Sequence, residues 1–147
     1  MRFMMLMIPG VYQGKKGRKI AADFAPSAEM VEKMTKFNEE LAKAGALISL
    51  DGLHPPVAGA RISFPGGRPK VMDGPFTESK EVLGGYWMIE AKSREEAIEW
   101  AKCVPALEGD VIEVRQVQEI SEFPEEVQRA ADSTAVKAQI EKHERSA

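Results

Sequence analysis

Two helix-period stretches, each set between strand-period stretches, restrict this chain of 147 residues to few folds. Met30, Met34, Phe37, Leu41 and Ala44 fall at alternating steps of four and three, which draws one apolar stripe along a helix. Ser27 opens that helix, Glu29 and Glu32 lie in its first turns where the dipole favours anions, and Gly45 supplies the stop. A second helix opens on Ser93-Arg94-Glu95-Glu96, a capping box in which Ser93 and Glu96 satisfy each other's backbone donors. It carries Ala97, Ile98, Ala101 and Val104 and ends at Pro105.

The strands fall around these helices. Arg2–Ile8 is almost continuously apolar, and its methionines Met4, Met5 and Met7 read as core packing. Ala46–Leu50 is a short strand, and Ala60, Ile62 and Phe64 alternate with Arg61 and Ser63 in the next, which Pro65-Gly66-Gly67 ends. Lys70–Met72 extends it as an edge arm, Tyr86–Ala91 follows, and Val111–Val117 is the last strand. Pro9 to Pro26, with three glycines and four basic residues, is a long connection, either a lid or binding segment or a solvated loop. Beyond it all, Pro124 starts a further helix and a second helical pattern runs through Val136 and Ile140, without a wide apolar face.

The resulting order is strand, helix, strand with an inserted hairpin, strand, helix, strand. That is an α+β fold with a ferredoxin-like βαββαβ protomer over residues 1–120, followed by a C-terminal helical extension over 121–147. Two helices cover only one face of the antiparallel sheet, so the other face needs a cover too. A second copy packed sheet against sheet supplies it, giving a homodimeric α+β barrel whose interface includes the last strand near Val114.

Composition excludes several functions. A formal net charge of −3 provides no basic footprint for nucleic acid. No apolar run approaches the roughly 18 residues that span a bilayer, and the opening residues fit no signal-peptide cleavage pattern. The lone Cys103 forms no intramolecular disulfide, which favours a cytoplasmic setting. With only His54 and His143 and no Cys/His cluster, no dedicated zinc or iron site is expected.

The stretch DGPFTESKEVLGG (73–85) is chemically richer than a turn requires. Pro75 restricts Gly74, so the two make a sharp bend after Asp73, and a Gly74 held at positive φ would tolerate a side chain poorly. Phe76 anchors the bend, Gly84-Gly85 permits close approach of a backbone or a ligand, and Glu78, Lys80 and Glu81 read as a solvated connector. On the last strand Glu113 and Arg115 share a face, and Arg61 shares one with Ser63. Arg61 and Arg115 are candidates either for binding an anionic group or for ion pairs at the dimer interface. Tyr86 and Trp87 point to opposite faces, and Tyr86 is the candidate for substrate contact.

This stretch, together with DGLHPP (51–56) and VPALEGDVIEVRQV (104–117), resembles the signature of DGPF proteins within the YCII-related family. The resemblance covers about residues 1–118 and departs from it at Gln116, where many relatives carry proline. It implies a dimeric α+β barrel of ferredoxin-like protomers, although most DGPF proteins have no assigned reaction. Better-understood YCII relatives imply a His–Asp pair in a cleft, and one branch dehydrochlorinates a hydroxylated aromatic. Many DGPF proteins are encoded beside extracytoplasmic-function sigma factors, which implies a regulatory context.

Carried onto this sequence, the catalytic pair is His54 and Asp73, with Asp51 as the competing carboxylate. An imidazole exchanges protons near neutral pH, and a carboxylate within roughly 2.6–3.2 Å would fix its tautomer. Pro55-Pro56 would hold His54 stiffly, whereas His143 belongs to the tail surface. Two functions are therefore expected of this chain. One is cofactor-free proton transfer on a small molecule. The other is a ligand-binding or regulatory module linked to a sigma factor.

Overall fold

The computed structural model describes residues 1–76 and 81–145; Glu78 and Lys80 of the charged connector lie outside them. The chain divides into two units, Met1–Val117 and Gln118–Ala147. The first contains β1 (Arg2–Ile8), α1 (Gly14–Gly17), α2 (Ala28–Lys43), β2 (Leu47–Gly52), β3 (Ala60–Ser63), β4 (Lys70–Asp73), β5 (Gly85–Glu90), α3 (Arg94–Lys102) and β6 (Val111–Gln116). Four strands form one antiparallel sheet in the order β2-β5-β1-β6, and β3 and β4 form a separate two-stranded ribbon. The fold class is α+β.

Register explains which side chains meet. Met5 pairs with Trp87 on one side and Val114 on the other, and Phe3 pairs with Ile89, so these side chains share one face. That face meets Phe37 and Leu41 of α2 and Ala97 of α3, forming the core with Ala46, Ala91 and Val104. Phe37 stands edge-on to Trp87, with ring centroids 5.8 Å apart. Val114 therefore turns inward, packed against the core. The opposite face carries Met4, Leu6, Tyr86, Met88 and Glu113, all only half-buried. The methionines of β1 thus divide between two faces, with Met5 in the core and Met4 on the open side.

Both long helices begin as their sequences dictate. The Ser27 hydroxyl accepts the Met30 N–H at 3.3 Å, and the Ser93 hydroxyl accepts the Glu96 N–H at 3.1 Å. The Glu96 carboxylate reaches one residue further back than a reciprocal box requires, taking the Lys92 N–H at 2.6 Å. Residues 9–26 are partly folded: a 3-10 turn spans Gly10–Tyr12, and α1 follows directly.

The second unit holds a 3-10 turn at Ile120–Glu122, then α4 (Glu125–Ala130) and α5 (Thr134–Glu144). Pro124 is the N-cap of α4, and the Ser133 hydroxyl caps α5 by accepting the Val136 N–H at 3.4 Å. Val127, Val136 and Ile140 are exposed, as the narrow apolar pattern of this segment requires. Among the described residues, no helix is long and apolar enough to cross a membrane.

Candidate functional site

A cleft of about 700 Å³ opens in the first unit, between α2, the ends of β1, β2 and β5, and the segment that follows β1. Its wall is mainly apolar. Met30 and Met34 come from α2, Leu50 and Leu53 from the end of β2 and just beyond, Trp87 from β5, and Tyr12 and Phe24 from the segment after β1.

Long-range hydrogen bonds hold that segment in place. The Gly10 N–H donates to Asp110 Oδ1 at 2.8 Å, and Asp110 Oδ2 accepts the Leu107 N–H at 2.8 Å. Gln13 behaves like a short piece of strand: its Oε1 accepts the Val82 N–H at 3.0 Å while its Nε2 donates to the Val82 carbonyl at 3.0 Å. The ring of Phe24 stands edge-on to Tyr12 with centroids 6.1 Å apart. Burial raises the pKa of the Tyr12 hydroxyl above the ordinary tyrosine value.

The DGPF stretch reaches this cleft at its far end, through Gly84 and Gly85. At the far end, Gly84 N–H donates to the Met7 carbonyl at 2.8 Å and the Gly84 carbonyl accepts the Leu53 N–H at 2.9 Å. A side chain on Gly84 would strike the Pro9 ring, and a Cβ on Gly85 would lie 2.7 Å from the Asp51 carbonyl oxygen. The close approach expected of this pair is therefore to the protein's own backbone and proline ring. At the near end, the Gly74 N–H donates to the Gly59 carbonyl at 2.9 Å. A Cβ on Gly74 would overlap the Pro56 carbonyl. Gly74 does not occupy the left-handed region, so glycine is required there by contact and not by a positive φ. The Gly74–Pro75 peptide is cis, and Phe76 is buried beneath the Arg61 guanidinium, 4.1 Å from the ring centroid.

His54 lies in the cleft wall, exposed, immediately before the buried Pro55 and Pro56. Among the described residues its imidazole has no hydrogen-bond partner, and no bond joins it to Asp73 or Asp51. Asp73 ends β4 opposite Ala60 and is absent from the cleft wall. The turn after it reaches the His54 segment through the backbone contacts of Gly74 on Pro56 and Gly59.

Asp51 is engaged elsewhere. Its Oδ2 accepts the Tyr86 hydroxyl at 2.8 Å, and that hydrogen bond raises the Tyr86 pKa. Both residues border the cleft at the sheet end. Arg61 and Arg115 do not. Arg61 covers Phe76 on the β3–β4 ribbon, and Arg115 Nε lies 3.7 Å from Glu113 Oε1 in an exposed pair that contributes little stability. The structure thus brings His54, Tyr86 and Asp51 to one cleft and leaves Asp73, Arg61 and Arg115 outside it.

Asn38 is the residue that sequence reasoning missed. Its Oδ1 accepts the buried Trp87 indole N–H at 2.8 Å, which fixes the amide's orientation and turns its NH2 away from the indole. The signal was present, since Asn38 sits four residues after Met34 and three before Leu41, a polar residue within an apolar stripe.

Comparison with known proteins agrees with the outline. A family model described as a YCII-related domain matches residues 1–121. A protein of Rhizobium meliloti (strain 1021), described as uncharacterized, is 35% identical over 69 residues, which is 47% of this chain and 56% of that protein. The chain therefore spans little more than half the length of this curated relative.

Proposed function

The chain belongs to the YCII-related family, and from that premise we propose that it acts on a small molecule bound in the cleft beside His54. His54 takes a proton from the bound molecule and returns it to another atom of that molecule, so the imidazole ends as it began and no cofactor takes part. The observation that carries this reading is the position of His54: a protic side chain without a partner among the described residues, in the wall of a mainly apolar cleft. Such a cleft is the ordinary form of a small-molecule site. In this reading Asp73 begins the turn that holds Pro56 against Gly74, and so steadies the histidine two residues earlier.

The protomer is of the ferredoxin-like DGPF type and pairs with a second copy across its open sheet face. Supporting this are the strand order β2-β5-β1-β6 and the half-buried Met4, Leu6 and Met88, apolar side chains that one face of the sheet leaves uncovered.

The test uses the intact protein and its His54→Ala variant in deuterated water with a small-molecule extract, read by mass spectrometry. A compound that gains deuterium or is converted only with the unaltered protein supports proton transfer. A compound that binds both proteins but is converted by neither would replace catalysis with a ligand-binding, regulatory role.

A further inference from the structure

Resting on the reading of the cleft as a small-molecule site, we propose that its ligand is uncharged and largely apolar, with a hydrogen-bond acceptor directed at the Asn38 amide.

Most polar side chains of the cleft wall are engaged by the protein itself. Ser27 accepts the Met30 N–H, Thr35 Oγ1 donates to the Val31 carbonyl at 2.8 Å, and Asp110 takes two backbone N–H groups. Asp51 takes the Tyr86 hydroxyl. What remains, among the described side chains, is the His54 imidazole, the Tyr12 hydroxyl and the NH2 of Asn38, whose oxygen is already committed to Trp87. An amide NH2 is a pure donor, so it selects an acceptor such as a carbonyl, ether or hydroxyl oxygen.

Charge argues for neutrality. Among the described residues the wall holds two carboxylates, Asp51 and Asp110, and neither lysine nor arginine. An anionic ligand would surrender its hydration without meeting a fixed cation. The positive end of α2 does not supply one, because Ser27 caps it and Glu29 lies in its first turn. A cationic ligand gains little more, since Asp110 is ringed by two backbone N–H groups and the exposed Asp51 offers only a solvent-screened attraction. The remaining wall of methionine, leucine and aromatic side chains favours a flat apolar body, and a cleft of about 700 Å³ admits one of drug-like size.

The test compares four probes of one shape: 2-acetylnaphthalene, 2-methylnaphthalene, 2-naphthoate and 2-naphthylmethylammonium. Binding is read by the fluorescence of Trp87 in a Trp100→Phe background, since these are the protein's two tryptophans and Trp87 lines the cleft. The expected result is that 2-acetylnaphthalene binds at least about tenfold more tightly than either charged probe. It should also exceed 2-methylnaphthalene by several-fold, the worth of one hydrogen bond.

Asn38→Asp keeps an acceptor for Trp87 but removes the NH2, so it should erase the margin between the acetyl and methyl probes. Met30→Trp, which fills the cleft, should abolish binding of all four, read for this variant by equilibrium dialysis because it adds a tryptophan. Equal or tighter binding of a charged probe at a site sensitive to Met30→Trp would overturn the ligand class and leave the cleft standing as a site. An acetyl margin that survives Asn38→Asp would overturn the role of Asn38. Absence of binding by every probe, or binding indifferent to Met30→Trp, would overturn both this inference and the small-molecule reading beneath it. The probe comparison on the unaltered cleft decides the ligand class even where Asn38→Asp folds poorly.

Discussion

Gly74 lies so close to the Pro56 carbonyl that no side chain fits between them, and its N–H is bonded to the neighbouring Gly59 carbonyl at 2.9 Å. The obstacle is backbone, which cannot swing aside as a flexible side chain would. Gly74→Ala is therefore expected to destabilise the protein by about 1–3 kcal/mol, the usual cost of overpacking. Urea unfolding measures this directly. A variant with an unchanged midpoint would show that the turn shifts freely against Pro56 and does not steady His54.

Trp87 depends on Asn38 in a similar way. Removing the acceptor with Asn38→Leu leaves a buried indole N–H without a partner, at a cost of about 1–3 kcal/mol. Adding Trp87→Phe removes the orphaned donor as well, so the double variant is expected to lose less than the two single losses added together. Additive losses in a denaturant cycle would mean that the bond is not formed in solution.

These two contacts separate what the sequence displayed from what it hid. The helices were legible because each carries its own period and its own cap: Ser27 and Ser93 do locally what their positions announce. The strands were legible for the same reason, to within a residue or two at their ends. The cleft was not, because its wall is joined by pairs that no local pattern relates. Gly10 meets Asp110 and Gln13 meets Val82, across 100 and 69 residues of chain. His54 could be singled out as one of two histidines beside a stiff Pro-Pro pair. Nothing local indicated that the turn at Gly74 would reach its segment by backbone contact.

Tyr86 offers a pH-dependent check. Its hydrogen bond to Asp51 raises its pKa above the ordinary tyrosine value, so the neutral hydroxyl is favoured more strongly in the folded chain than in the unfolded one. The resulting stabilisation is fully present below about pH 10, where unfolded tyrosine is still protonated, and is lost as pH rises through the higher folded value. Spectroscopic titration should show the Tyr86 step move down in Asp51→Ala while the Tyr12 step, raised by burial, stays in place. An unmoved Tyr86 step would mean that the two side chains do not meet.

The open sheet face predicts the assembly state. With Met4, Leu6 and Met88 half-exposed on one side, light scattering at micromolar concentration is expected to report twice the protomer mass. Leu6→Arg, placed in the middle of that face opposite Glu113, should shift the protein towards protomer without unfolding it. A protomeric wild type would contradict the pairing.

The most direct test of the cleft beside His54 is the imidazole spectrum of the protein, which contains only His54 and His143. Saturation with 2-acetylnaphthalene should displace the His54 resonances and leave those of His143, on α5, where they are. A saturated protein in which His54 is unmoved would contradict the claim that this histidine faces the bound molecule.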